Sequence, residues 1–251
     1  MTEEQWLTCV QPTQMLGFLR TSGKFTERKA RLFAVACCRR IWPLLSDERS
    51  RTAVEVAERY ADGLVSEWER TVAWAMAKPV AHDFWLSARV NDHPDSLVLP
   101  VGWEPIAGPA EARRAFPGAY TAAIALGPPT LLPKAADWAA EAAERAAMPG
   151  DEREEQSRLL RDMVGPLPFR LPPLVAPAWL TWNGSTVGRL AEAAYQEREL
   201  PGGTLDPDRL AVLADALEEA GCADAELLGH LRSTGPHVRG CFAVDAILGR
   251  E

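Results

Sequence analysis

The stretch that most constrains this chain runs from Thr26 to Gly63, TERKARLFAVACCRRIWPLLSDERSRTAVEVAERYADG. Leu32, Phe33, Val35, Cys37, Cys38, Ile41 and Trp42 cover most of the circumference of one helix, and Val54, Ala57, Tyr60 and Ala61 line one face of the next. Thr26 is placed to cap the first helix, and Pro43 ends or kinks it near Trp42. The second starts around Ser46, with Asp47 and Glu48 at its positive end, and stops at Gly63. A helix that is apolar on nearly every side has to be buried among others, so the remaining chain must supply helical partners. The exception on the first helix is cationic. Arg28 and Arg39, like Lys29 and Arg40, stand eleven residues apart, close to three turns, which puts all four on one side.

The 251 residues suffice for one large domain or two small ones with a real core. An apolar share of 47% and a charged share of 25% are those of a globular chain. The net charge of −8 disfavours a general nucleic-acid binder, which works by neutralising phosphates. The first residues, MTEEQWLTCV, lack the basic start and apolar run of a signal peptide. No uninterrupted apolar run reaches the roughly 20 residues a membrane span needs. The expectation is a cytoplasmic protein with no membrane partner and with its five cysteines (Cys9, Cys37, Cys38, Cys222, Cys241) reduced.

Helical signals continue along the chain. Residues 4–20 read as two short helices broken at Pro12. Ser66 and Glu69 form a capping box for a helix running towards Pro79, with Val80 to Val90 helical as well. Between 91 and 133 eight prolines interrupt the pattern; LVLPVGWEPI has the makings of a short strand, and Ala110–Ala115 and Ala119–Leu126 of short helices. Helices follow over Lys134–Ala147, up to the Pro149-Gly150 break, and over Asp151–Val164. A non-helical stretch, 165–177, precedes Trp179-Leu180-Thr181-Trp182 and an Asn183-Gly184 turn, and a helix then starts at Ser185. Asp206-Pro207 and Asp224 open two more helices, and Phe242, Val244, Ile247 and Leu248 mark the last. Strands do not alternate with helices, so an α/β sheet is not expected. The expected fold is all-α: a single compact multi-helix domain over 1–251. It has N-terminal helices in 4–90, a variable Pro-rich irregular segment in 91–133 and C-terminal helices in 134–251, with the two ends packed together.

Three pieces, ERKARLFAVACCRRIWPLLSDERSRTAVEVAERYADG, APAWLTWNGSTVGRLAEAAYQERELP and LAVLADALEEAGCADAELLGHLRSTGPHVRGCFAVDAILG, occur in this order over about half the chain. Together they resemble an uncharacterised group of paralogous helical proteins from planctomycete-type bacteria. LADALEEAG also resembles the short acidic helix of repeat-companion modules in such bacteria. The resemblance implies a helical scaffold built from both ends and a bacterial source. It implies no activity and no residue roles.

Candidate sites are few. Cys222, His230, His237 and Cys241 are zinc-ligand types within twenty residues, but their spacing matches no finger or ribbon, so buried structural thiols and no metal are expected. Cys241 or Cys38 with His237 would be a nucleophile and base, yet nothing marks an oxyanion hole. The strip Arg28, Lys29, Arg39, Arg40 would bind phosphate or nucleic acid if free; salt bridges to acidic helices are the simpler reading. The loop from Ser233 to Gly240 lacks a phosphate-binding pattern, and His237 and Arg239 are read there as hydrogen-bonding groups. Trp179 and Trp182 are candidates to line a groove. No cofactor is expected. With no complete catalytic set, the expectation is a non-catalytic protein-interaction or regulatory module. The alternatives are a nucleic-acid or phosphate-ligand binder and a Cys/His hydrolase or zinc protein.

Overall fold

The computed structural model describes residues 1–23, 25–89, 102, 104–145, 151–166 and 169–250. Its elements are α1 (Glu3–Thr8), α2 (Pro12–Ser22), α3 (Glu27–Arg40), a 3-10 turn (Trp42–Leu44), α4 (Glu48–Ala61), α5 (Glu67–Arg89), α6 (Pro109–Leu126), α7 (Lys134–Arg145), α8 (Glu152–Val164), α9 (Pro177–Gln196), α10 (Pro207–Glu219), α11 (Ala225–Leu231) and α12 (Phe242–Leu248). The fold is all-α: among the described residues there is no strand, only isolated bridges pairing Thr204 with Glu199 and with Val238. The strand considered within 97–106 and the Pro149-Gly150 break lie outside the described residues, apart from Gly102 and residues 104–106.

The local signals act where the chemistry predicts. Thr26 Oγ1 accepts the Lys29 amide, Asp47 caps α4, and the reciprocal Ser66–Glu69 bonds open α5. Pro79 and Pro117 depart from expectation, because each lies inside one continuous helix, α5 and α6 respectively. An interior proline costs about 3 kcal/mol or more. The faces carried across them (Ala77, Val80, Ala81 and Phe84 on α5; Ala112, Ala115, Ala119 and Ala122 on α6) are buried, and together they offset that cost. Trp179 and Thr181, expected ahead of a helix, lie in the first part of α9. The kink falls at Asn183, Gly184 and Ser185, all left-handed with φ of 45°, 65° and 64°.

The chain divides into two compact units, Met1–Lys29 with Glu155–Glu251, and Ala30–Glu154. Both boundaries fall inside helices, α3 and α8. In the first unit, Leu210, Leu213 and Leu217 of α10 bury against Val187, Ala191 and Tyr195 of α9 and Val244 and Ile247 of α12. Arg161 of α8 donates to the carbonyls of Trp6 and Cys9, which fixes the end of α1. In the second unit α5, α6 and α7 lie side by side with α4, and alanine-rich faces let α5 and α6 approach closely.

Candidate metal centre

Four side chains from two distant segments, Asp162 and the stretch from His230 to Cys241, meet in the first unit. Asp162 stands on the last turn of α8, and His230 on the last turn of α11. His237 lies in the connection that follows, and Cys241 is the residue before α12. Asp224 fixes α11 by accepting the amides of Glu226 and Leu227. The connection turns at Gly235, with φ of +83°, where a Cβ would lie 2.8 Å from the His237 amide nitrogen. Only glycine fits such a turn without strain.

Asp162 Oδ1 lies 2.9 Å from His237 Nδ1 and 3.1 Å from His230 Nε2, and His230 Nε2 lies 3.2 Å from Cys241 Sγ. The four ligating atoms fall within 4.8 Å of one another. The second carboxylate oxygen of Asp162 accepts the Val238 amide at 3.0 Å. His237 Nε2 faces the Ser233 carbonyl at 3.1 Å, so that nitrogen carries a hydrogen. Its Nδ1 therefore meets a carboxylate oxygen across a gap that either a proton or a cation must fill. Asp162, His237 and Cys241 are buried, while His230 borders a cavity of about 200 Å³ shared with Arg158 and Arg161.

The electrostatics follow from this crowding. Burial alone would raise the Asp162 carboxyl, but hydrogen bonds from both imidazoles bring it below its usual value. Burial would lower His237, and the Asp162 carboxylate beside it instead holds it above the usual histidine value. The Cys241 thiol is pushed well above its usual value by burial and then by the charge of Asp162.

A cysteine nucleophile with a histidine base needs its acid on the far nitrogen of the ring. Here Cys241 and Asp162 both meet the same nitrogen, His230 Nε2, so the groups converge on a point and form no relay. Convergence suits an ion. Four-coordinate zinc with nitrogen ligands at 2.0–2.1 Å has neighbouring donors about 3.3 Å apart. Two imidazoles, a thiolate and a carboxylate are a zinc-type donor set, and the Ser233 and Val238 backbone groups orient the outer side of two of them.

Of the residues singled out in the sequence, His230, His237 and Cys241 are brought together and Cys222 is not. Cys222 is buried beside Leu217 and Leu227, with its thiol raised by burial. Asp162 was missed. Its one signal was an acid three residues from the buried Leu159 and next to the buried Met163. Cys38 is buried in the second unit, its thiol pushed up to about 12 by burial.

The basic strip is engaged. Arg28 donates to Asp245 at 2.7 Å and to the Tyr195 hydroxyl, and Lys29 reaches Asp245 and the Gly240 carbonyl. Arg39 pairs with Glu58 at 2.6 Å, and Arg40 with Glu152 at 3.0 Å. Arg239 is buried, donating to Gln196 and lying over the Tyr195 ring. Trp179 and Trp182 are half-buried against the α9–α12 core.

Comparison with family models finds no match, and neither the curated proteins nor the solved structures yield a similar protein.

Proposed function

We propose that this protein is a non-catalytic helical module of the interaction or regulatory kind, and that a zinc-class divalent ion fastens α8, α11 and the start of α12 through Asp162, His230, His237 and Cys241. The observation that carries the reading is the convergence of a carboxylate, two imidazole nitrogens and a thiol within 4.8 Å. Four protein ligands leave no open coordination position, which suits a structural centre better than a hydrolytic one. The ion pairing of Arg28, Lys29, Arg39 and Arg40 removes the main motive for a nucleic-acid reading.

The test is elemental analysis of protein purified without chelator, paired with cobalt(II) substitution. One equivalent of zinc per chain is expected, with a sulfur-to-cobalt charge-transfer band that Cys241→Ser abolishes. Wild-type protein with no stoichiometric metal and no such band would refute the centre. An ion held at 100 times its dissociation constant adds about 2.7 kcal/mol to stability, so chelation should lower the melting temperature by several degrees.

A further inference from the structure

The second unit contains a cavity that the metal reading does not use. It measures about 890 Å³ and opens between α5, α6 and α7. That is within the 300–1,000 Å³ typical of small-molecule sites. Its inner surface is made by small side chains, Ala81 and Ala88 on α5 and Ala123 on α6, where larger residues would have filled the space.

One wall is aromatic and tightly ordered. Trp138 meets Tyr120 at 4.8 Å and 65°, and Phe116 at 5.3 Å and 81°, both edge to face. This packing fixes the rings against one another, and each stays half-buried. On α5 the Trp85 ring lies near His82, 6.0 Å between centroids. A flat apolar body entering the cavity would find the ring surface of the Trp138 wall at little ordering cost.

Two exposed cations of α5 border the cavity, about three turns apart along the helix. Arg89 holds its guanidinium 4.9 Å from the Trp85 ring centroid, and Lys78 its ammonium 5.7 Å from that of Trp74. Neither meets a carboxylate among the described residues. Arg113 also lines the cavity but is already engaged, and Glu141 is the one acid of the lining among the described residues. In a chain of net charge −8 the two α5 cations are a local positive feature, and either one matches an anion.

We infer that the α5–α6–α7 cavity binds a small planar aromatic carboxylate, with its rings against the aromatic wall of Trp138, Tyr120 and Phe116 and its carboxylate at one of the two α5 cations, Lys78 or Arg89. The aromatic wall selects a flat body, the volume admits two or three fused rings, and the cations select the charged head. The inference is independent of the metal centre, which lies in the other unit.

The test uses the full-length protein and two probes that differ in charge alone, naphthalene-2-carboxylate and naphthalene-2-methanol, titrated calorimetrically. One carboxylate per chain is expected, bound about fivefold more tightly than the alcohol. Lys78→Gln/Arg89→Gln changes two exposed side chains and should retain the wild-type circular dichroism spectrum while losing the preference between the probes. Trp138→Ala should weaken both probes alike. No binding of the carboxylate, equal affinity for the two probes, or an unchanged preference in the double variant would each overturn the proposal.

Discussion

Two ion pairs of similar geometry differ in consequence because of where they sit. Arg39 and Glu58 are almost fully buried and 2.6 Å apart, and Arg39 also lies over the Trp42 ring. Arg39→Ala strips a buried Glu58 of its guanidinium and should cost about 3–5 kcal/mol in urea unfolding. Arg232 pairs with Asp215 and Glu218 on the surface, where solvent screens the interaction. Arg232→Ala should stay within about 0.5 kcal/mol of wild type. The same division by burial governs thiols. Cys37, Cys38, Cys222 and Cys241 are buried and Cys9 is partly open. Ellman's reagent should therefore label one thiol per native chain quickly and all five only after unfolding. Fast labelling of Cys38 would contradict the packing of α3.

Caps and termini set behaviour at the scale of an element. Asp224 accepts two amides at the start of α11, and α11 carries His230. Asp224→Ala should cost about 1 kcal/mol in stability and weaken cobalt(II) binding, since a frayed α11 no longer holds His230 in place. At the start of α5, Glu67 accepts from Arg70 and from the Tyr60 hydroxyl, and these contacts hold its carboxyl at about 2. A carboxyl lowered in the folded state contributes above its ordinary value and loses that contribution as pH falls through the folded one. Carbon-detected titration should show Glu67 ionised down to about pH 2 and, in Arg70→Ala, returned towards its usual value near 4.5. Elements such as these were legible in the sequence because their causes lie within four residues: Ser66 with Glu69, Asp47 with Arg49. Pro79 and Pro117 were not, because a proline stops an isolated helix, and only the burial of the face around it keeps α5 and α6 continuous.

The whole molecule places its two candidate sites in different units, each assembled from segments far apart in the chain. Asp162 lies 68 residues from His230 and 75 from His237. The aromatic wall joins Trp138 of α7 to Phe116 and Tyr120 of α6 in a cavity that Trp85 of α5 also lines. The sequence by itself determined the all-α class, most helix starts and stops, and the residues rich enough in chemistry to be candidates, because periodicity, capping and proline geometry are local. Tertiary structure decided which of those candidates meet. It placed Asp162 beside His230, His237 and Cys241, buried Cys222 away from them, and closed Arg28, Lys29, Arg39 and Arg40 onto Asp245, Glu58 and Glu152. The physical reason is that helices dock by apolar area, which is blind to the identity of the polar residues it brings together, so a site's membership is fixed by packing and not by spacing along the chain.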